Sequence, residues 1–347
     1  MKKWLNKTAL SLCLLLFIVG CDKTPHSHHE QIVALGTIVD IKLYDVDEKL
    51  AHQASIDIAN TMNTINERWH AWKPSQLTRI NDALAKGESL DLDPEGFQLL
   101  STAQALSQQS NGLFHPGLGN LIQLWGFQHD EAPTGPPPSS SKIQAWLDQQ
   151  ETMDKLLLEN NNAKLASGEM KLDLGGFAKG LAVDLAIDRM KELGINNAII
   201  NAGGDLRAIG SKGDKPWRIG VRDPRSNNIL ASIETQGDES IFTSGDYERF
   251  FMHNGQRYHH LLDPRTGKPA QKTTSVTIIH PDAITADAAA TALFIAGPEQ
   301  WRTVAKQMGI EYIMLIDDKQ NIYMSPKMEK RVYFLKKLDT APIIQSL

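Results

Sequence analysis

The chain has 347 residues, of which 41% are hydrophobic, and a formal net charge of -5 at pH 7. This length and hydrophobic content suffice for one large domain or two lobes with a sizeable core. A mildly acidic chain with no basic run beyond its N-terminus is not expected to bind nucleic acid.

The first twenty residues have the pattern of an export signal. Three lysines precede the apolar stretch 9–20, which is shorter than a membrane-spanning helix requires. The stretch ends in Ile18-Val19-Gly20-Cys21, which resembles a bacterial lipobox, and this implies cleavage before Cys21 and acylation of its sulfur. Asp22 resembles the signal that keeps such lipoproteins at the inner membrane, so we expect a lipid-anchored protein on its periplasmic face. An ordinary signal peptide or a short N-terminal anchor are the alternatives.

The signal defines the expected organisation of the chain. We predict a signal peptide over residues 1–20, a lipidated tether over 21–31 and one folded domain over 32–347. The tether is polar and contains three histidines, which could instead bind a metal.

The first half of the predicted domain contains a strand, two helices and a loop. Apolar and polar residues alternate from Ile32 to Val46, which predicts a strand interrupted at Gly36. Apolar residues at helical spacing predict a helix over 47–69. A second helix is expected to begin at Asp93-Pro94 and to end near Gln109. The proline-rich stretch 130–141 is expected to be an exposed loop.

The second half mixes short strands with helices. A helix over 177–193 is expected after a strand and a Gly-Gly turn, and short strands are expected over 197–279, with a hairpin at Asn254-Gly255. Further predicted elements are helices over 283–296 and 299–308 and two strands around the turn 317–321. Because the elements show no regular βαβ alternation, we predict the α+β class.

The segment Asp173-Leu-Gly-Gly-Phe-Ala-Lys179-Gly180 is a candidate anion site. Its glycines allow close approach of the backbone to a ligand, and the N-terminus of the following helix favours an anion. Lys179 adds a positive charge suited to phosphate. The spacing differs from that of a Walker loop, and a tight structural turn is the alternative.

Asp287 and Thr291 are candidate metal ligands. Residues four apart on a helix share a face, so their oxygens could approach one hard cation such as Mg²⁺. The alternative is a buried helical turn in which both side chains bond to the backbone. The alanines around them leave room for the close approach of a ligand or of a second chain segment.

Histidines and aromatic residues complete the candidates. In Tyr258-His259-His260 the two imidazoles should point to opposite faces of a strand, and either could be a buried structural histidine. Four aromatic side chains could line a slot for a flavin or nucleotide: Trp72, Phe114, Trp125 and Phe127. The alternative is that they belong to the hydrophobic core. The chain lacks CxxC, HExxH, GxSxG and GxGxxG, which argues against zinc peptidases, α/β-hydrolases and Rossmann enzymes.

Taken together and in this order, these segments resemble the family of FAD:protein FMN transferases, the ApbE-type flavin transferases. The resemblance extends from Leu35-Gly36-Thr37 to Ala286–Thr291 and also includes 75–81, 112–116, 124–127, 201–205 and 244–247. It implies a mixed, largely antiparallel α+β fold flanked by helices, with the ligand in a cleft between lobes. The implied reaction uses Mg²⁺ and FAD, transfers FMN to a Thr or Ser hydroxyl of a partner protein, and releases AMP. Family targets are subunits of membrane redox complexes such as quinone reductases.

The resemblance also implies roles for individual residues. The metal would be held by the Gly176 carbonyl, Asp287 and Thr291, with a further carbonyl from Ala290. His260 stands where the family has a histidine, and we expect it to act as the base because imidazole titrates near neutral pH. The residues expected to contact FAD are Leu35, Trp72, Leu113, Phe114, His115, Asp173, Lys179 and Leu261.

The chain departs from the family pattern at three positions. The family often has Met at position 35, and Asp and Thr at positions 115 and 117, where this chain has Leu35, His115 and Gly117. A contact through the His115 side chain is therefore less expected than one through its backbone.

Two other functions remain open from the sequence. The first is a Mg²⁺-dependent FAD pyrophosphatase, which would use the same site with water as the nucleophile and give free FMN and AMP. The second is a periplasmic lipoprotein that binds FAD without chemistry, for which the Asp287 and Thr291 pair would be unnecessary.

Overall fold

A computed structural model describes residues 26–129 and 131–347. The predicted signal peptide and residues 21–25 of the predicted tether, which include Cys21, lie outside the described residues.

The described chain mixes strands and helices without regular alternation. In chain order the strands are β1 (Ser27–Ala34), β2 (Thr37–Tyr44), β3 (Leu90–Asp91), β4 (Leu156–Glu159), β5 (Asn162–Leu165), β6 (Ala198–Ala202), β7 (Asp205–Ile209), β8 (Arg218–Arg222), β9 (Ile229–Glu234), β10 (Glu239–Gly245), β11 (Phe250–His253), β12 (Gln256–His259), β13 (Leu262–Asp263), β14 (Lys268–Pro269), β15 (Thr273–His280), β16 (Tyr312–Asp317), β17 (Ile322–Met324), β18 (Val332–Phe334) and β19 (Ile343–Ile344). The helices are α1 (Glu48–Trp69), α2 (Gln76–Ala85), α3 (Pro94–Gln109), α4 (Gly119–Trp125), α5 (Ser140–Leu147), α6 (Ala178–Glu192), α7 (Ala283–Met308) and α8 (Pro326–Glu329).

A nine-stranded sheet organises the described residues. Its spatial order is β1-β2-β6-β7-β10-β15-β16-β17-β19, and every neighbouring pair is antiparallel except β17 with β19. Smaller sheets have the orders β18-β9-β8 and β3-β5-β4, and β11 with β12 and β13 with β14 form hairpins. The predicted α+β class with largely antiparallel sheets is confirmed.

Local signals in the sequence explain where the long helices begin and end. The Asp47 carboxylate accepts a hydrogen bond from the Leu50 amide at the start of α1, and Asp93 caps α3 with Pro94 in its first turn. Both predicted helices are confirmed. The helix predicted over 177–193 is α6, and Gly194 follows it with a φ of 77°.

The C-terminal predictions are confirmed as well. The two helices predicted over 283–296 and 299–308 are the two halves of α7, which bends at Gly297, where φ is 68°. Asn254 and Gly255 form the turn between β11 and β12, with φ values of 49° and 76°. The turn predicted over 317–321 connects β16 with β17.

Other predictions were wrong in detail. The tether was expected to extend to Gln31, but β1 begins at Ser27 and pairs with β2 along its whole length. The segment before the Gly175-Gly176 turn is extended but forms only the isolated bridge between Lys171 and Leu118 rather than a strand. Ser140, expected in a loop, begins α5.

Four helices were not predicted. Helices α2, α4, α5 and α8 are all short, with lengths of 10, 7, 8 and 4 residues, so their apolar periodicity spans few turns. The start of α2 is nevertheless encoded locally, because Ser75 and Thr78 form a capping box.

The buried apolar side chains form three clusters. The largest contains α1, α6 and the first half of α7 packed against the main sheet. A second cluster fills the space between the main sheet and the sheet of β18, β9 and β8. A third, smaller cluster joins α4 and α5 to Phe251 and Leu262. Within residues 26–129 and 131–347, no helix has the length and apolar character needed to cross a membrane.

Candidate active site

A deep cleft opens between the largest cluster and the small cluster around α4. Its volume is about 580 Å³, which falls within the range of roughly 300–1,000 Å³ that is typical of small-molecule sites. Its walls come from distant parts of the chain: the β1–β2 turn, the end of α1, the segment 113–118, the start of α6, the strand β10, the segment 260–262 and helix α7.

One wall of the cleft is aromatic and rigidly held. The Trp72 indole donates a hydrogen bond of 2.9 Å from Nε1 to Asp173 Oδ2, and the Lys171 ammonium lies 3.9 Å from the centre of its ring. The other Asp173 oxygen accepts from the Gly175 amide at 2.8 Å. Asp173 therefore connects the aromatic wall to the glycine turn.

The same wall continues through Phe114 and the glycine turn. Phe114 packs edge-on against Phe177 with ring centres 5.6 Å apart. A Cβ atom on Gly176 would lie 3.3 Å from the Phe114 ring, so glycine permits this close approach. Leu113 and Leu261 are buried and line the cleft beside them.

Leu35 and His115, both predicted to contact FAD, line the cleft. Leu35 lies in the β1–β2 turn with a φ of 53°, a conformation that side-chain-bearing residues rarely adopt. His115 also lines the cleft, but its ring nitrogens bond within the protein, to the Glu151 carbonyl and the Gly117 amide. Burial lowers the pKa of His115. Its two hydrogen bonds within the protein give the side chain a structural role.

The opposite end of the cleft is polar and acidic. Lys179, on the first turn of α6, forms an ion pair with the buried carboxylate of Asp205. Asp287 and Glu248 line the same end of the cleft. Asp205 is fixed from the other side because its Oδ1 accepts a hydrogen bond of 3.0 Å from the Thr243 amide.

The charged groups at this end of the cleft shift one another's pKa values. Burial alone would lower the pKa of Lys179, but Asp205, Asp287 and Glu248 together raise it, so the ammonium stays charged. Burial raises the pKa of Asp287 well above its usual value, and Asp205 adds to this effect while Lys179 opposes it. Although Glu248 is exposed at the surface, desolvation within the cleft raises its pKa to about 7, and Lys179 opposes this effect. A cation bound beside Asp205, Asp287 and Glu248 would favour their charged forms, as Lys179 does.

Asp287 and Thr291 lie side by side on the first half of α7 and both face the cleft. Asp287 Oδ2 accepts a hydrogen bond of 2.9 Å from the Gly180 amide, and the Thr291 hydroxyl lies 3.5 Å from that of Ser244. Both side chains thus contact another element of the chain as well as the cleft.

The predicted metal ligands fit a hard cation by their chemistry. Gly176, Asp287 and Thr291 all line the cleft and offer a carbonyl, a carboxylate and a hydroxyl oxygen, which are the donors that Mg²⁺ prefers. Ala290 differs: it is buried and is not among the cleft-lining residues of the described chain. Residues 26–129 and 131–347 contain no cluster of three His, Cys, Asp or Glu side chains suited to a metal.

The alanines of α7 have a packing role. Residues 286, 288, 289, 290 and 292 are all buried. A Cβ atom on Gly180 of α6 would lie 2.5 Å from the Ala283 carbonyl oxygen, so the two helices approach at backbone contact. The room predicted beside Asp287 is therefore taken up in part by a second chain segment.

The two neighbouring histidines have different surroundings, as the strand pattern predicted. His259 is buried, and its Nε2 lies 2.7 Å from the Ala270 carbonyl. His260 is partly exposed and lines the cleft, with Nδ1 3.2 Å from the Arg249 carbonyl. Since a carbonyl only accepts, Nδ1 carries the proton and Nε2 keeps its lone pair. The segment 263–267 forms a turn, in which the amides of Thr266 and Gly267 donate to the Asp263 carbonyl.

The basicity expected of His260 is not what the structure shows. Burial, with Arg249 and His259 adding to it, lowers the pKa of His260 to about 3. The ring is therefore neutral at pH 7 rather than poised to titrate there. Its neutral Nε2 can still accept a proton, and negative charge from a bound diphosphate would raise its pKa.

Of the aromatic candidates, three line the cleft and one does not. Trp72, Phe114 and Phe127 lie in its wall. Trp125 is buried in the small cluster, where its Nε1 donates a hydrogen bond of 2.8 Å to the Gly267 carbonyl.

Sequence reasoning missed two carboxylates that control Lys179. Asp205 closes the stretch Asn201-Ala-Gly-Gly-Asp205, and a carboxylate after a glycine pair was a usable signal for a site residue. Glu248 follows the Ser244–Tyr247 segment and gave no comparable signal. Arg249, whose guanidinium bonds to the Phe127 and His129 carbonyls, was missed as well.

These features define an α+β protein whose cleft joins an aromatic wall to an acidic, oxygen-rich end, an arrangement suited to a metal-bound nucleotide. The family model described as the ApbE family matches residues 35–314. The chain therefore belongs to the ApbE family.

Relatives and solved structures agree with this assignment. A protein of Rhodobacter capsulatus named FAD:protein FMN transferase is 34% identical over 314 residues, which cover 90% of this chain and 60% of the relative. A Vibrio cholerae protein of the same name is 30% identical and covers 91% of this chain and 94% of the relative. The chain thus spans less than two thirds of the first relative and nearly all of the second.

The fold comparison gives the same result. The crystal structure of the ApbE protein from Thermotoga maritima has a TM-score of 0.80 and 33% identity, and the match covers 90% of this chain and 100% of that one. The flavin transferase ApbE from Vibrio cholerae has a TM-score of 0.77 and 27% identity, with 88% and 99% covered.

Proposed function

We propose that this chain transfers the FMN part of FAD to a Thr or Ser hydroxyl of a partner protein and releases AMP, in a reaction that depends on Mg²⁺. The names of the relatives support the reaction class. The observation that carries the proposal is the meeting of an aromatic wall with Lys179, Asp287 and Thr291 in one cleft. This combination suits a flavin at one end and a diphosphate at the other.

The chain's own residues divide the binding of FAD between them. Trp72 and Phe114 offer flat apolar surfaces, and the Asp173 hydrogen bond holds the Trp72 ring in place. The Lys179 ammonium attracts the diphosphate, and the positive end of the α6 dipole adds to its charge. Lys179 is paired with Asp205, so it is held in position before a ligand arrives.

The Gly176 carbonyl, Asp287 and Thr291 would hold the metal. A bound Mg²⁺ would neutralise charge on the diphosphate and on the departing AMP. Asp287 must be ionised for this, and Lys179 and the Gly180 amide both favour its charged form.

The transfer step needs a proton acceptor beside the incoming hydroxyl. Its oxygen forms a bond to the FMN phosphorus, while the bond from that phosphorus to the oxygen of the AMP phosphate breaks and AMP leaves with the electron pair. The hydroxyl proton passes to Nε2 of His260, whose Nδ1 is held by the Arg249 carbonyl.

Variants at two positions test the proposal. We expect Asp287→Ala and His260→Ala each to lower FMN labelling of a co-expressed acceptor by roughly 10²-fold or more, because each removes a group that acts in the transition state. Mass spectrometry of the acceptor, with and without Mg²⁺, measures the labelling. Near-normal labelling by either variant refutes the role of that residue.

The same experiment separates transfer from hydrolysis. A mass gain of one FMN on a Thr or Ser of the acceptor supports the transferase. Free FMN and AMP without labelled acceptor indicate a pyrophosphatase that uses water in the same cleft, and unchanged FAD indicates a binding protein without chemistry.

We also propose that Cys21 carries acyl chains that hold the protein on the periplasmic face of the inner membrane, where subunits of membrane redox complexes of the quinone reductase type would be its acceptors. The lipobox-like sequence supports this. Cys21→Ser should release the protein from the membrane fraction or leave the precursor uncleaved. Unchanged membrane attachment of this variant contradicts the proposal.

A further inference from the structure

A second cavity adjoins the candidate active site. Its volume is about 250 Å³, below the range of roughly 300–1,000 Å³ typical of small-molecule pockets. Gly203, Thr243 and Glu248 line both cavities. The shared wall is connected to the acidic end of the cleft, which is the reactive end, because the Thr243 amide donates a hydrogen bond to Asp205 and Asp205 pairs with Lys179.

Strand β8 forms one side of this second cavity along its full length. All of Arg218–Arg222 lines the cavity, and the opposite side comes from β2, β6 and the Gly203-Gly204 turn. In its sheet of order β18-β9-β8, β8 has a partner on one side only. Such an edge strand presents backbone amides and carbonyls that can pair with an extended peptide.

The outer part of the cavity is positively charged. Lys42, Arg218 and Arg222 are exposed, and within the described residues none of them forms an ion pair with a carboxylate. Two carboxylates also line the cavity. Asp40 is engaged by the side chains of His29 and Gln31, and Glu248 lies at the inner end that is shared with the cleft. The rim therefore favours a negatively charged partner.

We propose that this cavity, the β8 groove, receives an extended, negatively charged segment of the acceptor protein and leads its hydroxyl to the reactive end of the cleft. The inference rests on the proposed function, since it names the path by which the acceptor reaches bound FAD. Backbone pairing with β8 holds the segment and the rim cations orient it. The shared wall at Thr243 and Glu248 is where its hydroxyl enters.

Charge reversal in the groove tests the inference with the full-length chain. The probe is the flavin-carrying subunit of a membrane redox complex, expressed without the transferase, purified and then labelled with FAD and Mg²⁺. We expect Arg218→Glu combined with Arg222→Glu to raise KM for the acceptor roughly tenfold, because rim charges govern encounter with the partner. The value of kcat and the affinity for FAD, measured by flavin fluorescence, should stay unchanged. Lys164→Glu on β5, an exposed residue outside both cavities, is the matched control and should behave as wild type.

Hydrogen exchange supplies a second measurement that needs no variant. The amides of β8 should become protected when the acceptor is added and stay unprotected with FAD alone. Labelling with wild-type KM by the double variant, or labelling without protection of β8, overturns the inference and leaves the proposed function intact. Failure of the wild-type chain to label the acceptor refutes the proposed function, and the inference with it.

Discussion

Lys179 is the charged side chain around which the acidic end of the cleft is organised. It is surrounded by Asp205, Asp287 and Glu248, which together raise its pKa against the effect of burial. A lysine in a neutral pocket would lose charge on burial, whereas this one keeps it. The proposed divalent cation would lie beside these carboxyl groups and would favour their charged forms.

The lowered pKa of His260 leads to a prediction about stability against pH. The native ring has a pKa of about 3, whereas the unfolded chain binds a proton near the ordinary value of about 6.5. The unfolded state therefore binds more protons between these values, and the free energy of unfolding should fall as pH drops through this window. Between pH 7 and pH 5 we expect the loss to be up to about 2 kcal/mol larger for wild type than for His260→Gln.

Urea denaturation at the two pH values measures this difference. If wild type and His260→Gln lost equal amounts of unfolding free energy between pH 7 and pH 5, the ring would titrate normally in the folded protein. The expectation from sequence, that an imidazole titrates near neutral pH, could not include this effect, because burial and the nearby Arg249 arise only when the hairpin folds against the cleft.

At the scale of elements, the packing of α6 on α7 places the ligands. Gly180 permits contact of the two backbones, and its amide donates to Asp287. On the next turns of α6, Asp184 accepts hydrogen bonds from the amides of Ala283 and Ile284 at the start of α7. The two helix N-termini are therefore tied together, so the turn that carries Lys179 and the face that carries Asp287 form one unit.

Substitution of Gly180 should disturb this unit. In Gly180→Ala the added Cβ would lie 2.5 Å from a backbone carbonyl, so α7 must shift. We expect a loss of about 1–3 kcal/mol in the free energy of unfolding, as for overpacked cores, together with reduced FMN labelling. Thermal unfolding and the labelling assay measure the two effects.

Leu185→Ala provides the matched control for this prediction. Leu185 lies on the same helix and is 40% exposed, so its truncation should change stability by no more than about 0.5 kcal/mol. If Gly180→Ala and Leu185→Ala were equally stable and equally active, the close approach of the two helices would be irrelevant to the site.

At the scale of the whole molecule, the cleft depends on long-range folding. Its lining residues extend from Leu35 to Ile295 and come from both the sheet and the helical parts of the chain. A site assembled in this way is present only in the native state. Ligands that bind it must therefore stabilise the whole fold.

Ligand binding gives a prediction that can be measured by thermal shift. FAD at about 100 times its Kd should stabilise the native state by about 2.7 kcal/mol, since the unfolded chain has no site. Adding Mg²⁺ should increase the shift further if the ion and the diphosphate share the acidic end. In Asp287→Asn we expect the Mg²⁺-dependent part of the thermal shift to be lost and the part of the shift that is due to FAD alone to remain. A Mg²⁺ effect of wild-type size in this variant would place the ion elsewhere.

Features that depend on neighbours along the chain could be predicted from the amino-acid sequence. Caps and apolar periodicity defined α1, α3 and α6, Asn254-Gly255 defined a hairpin, and the helical spacing of Asp287 and Thr291 placed them on one face. The order of the short segments was sufficient for the resemblance to the ApbE family, because each segment is a local pattern.

The contacts between residues that are distant in the chain, and the pKa values of their side chains, depend on the tertiary structure. The ion pair of Lys179 with Asp205, the closeness of Glu248 and the contact of Gly180 with α7 join residues far apart in the chain. The low pKa of His260 and the groove beside β8 arise in the same way. Periodicity and capping act over a few residues, whereas desolvation and Coulomb interactions act through space and exist only after the chain has folded.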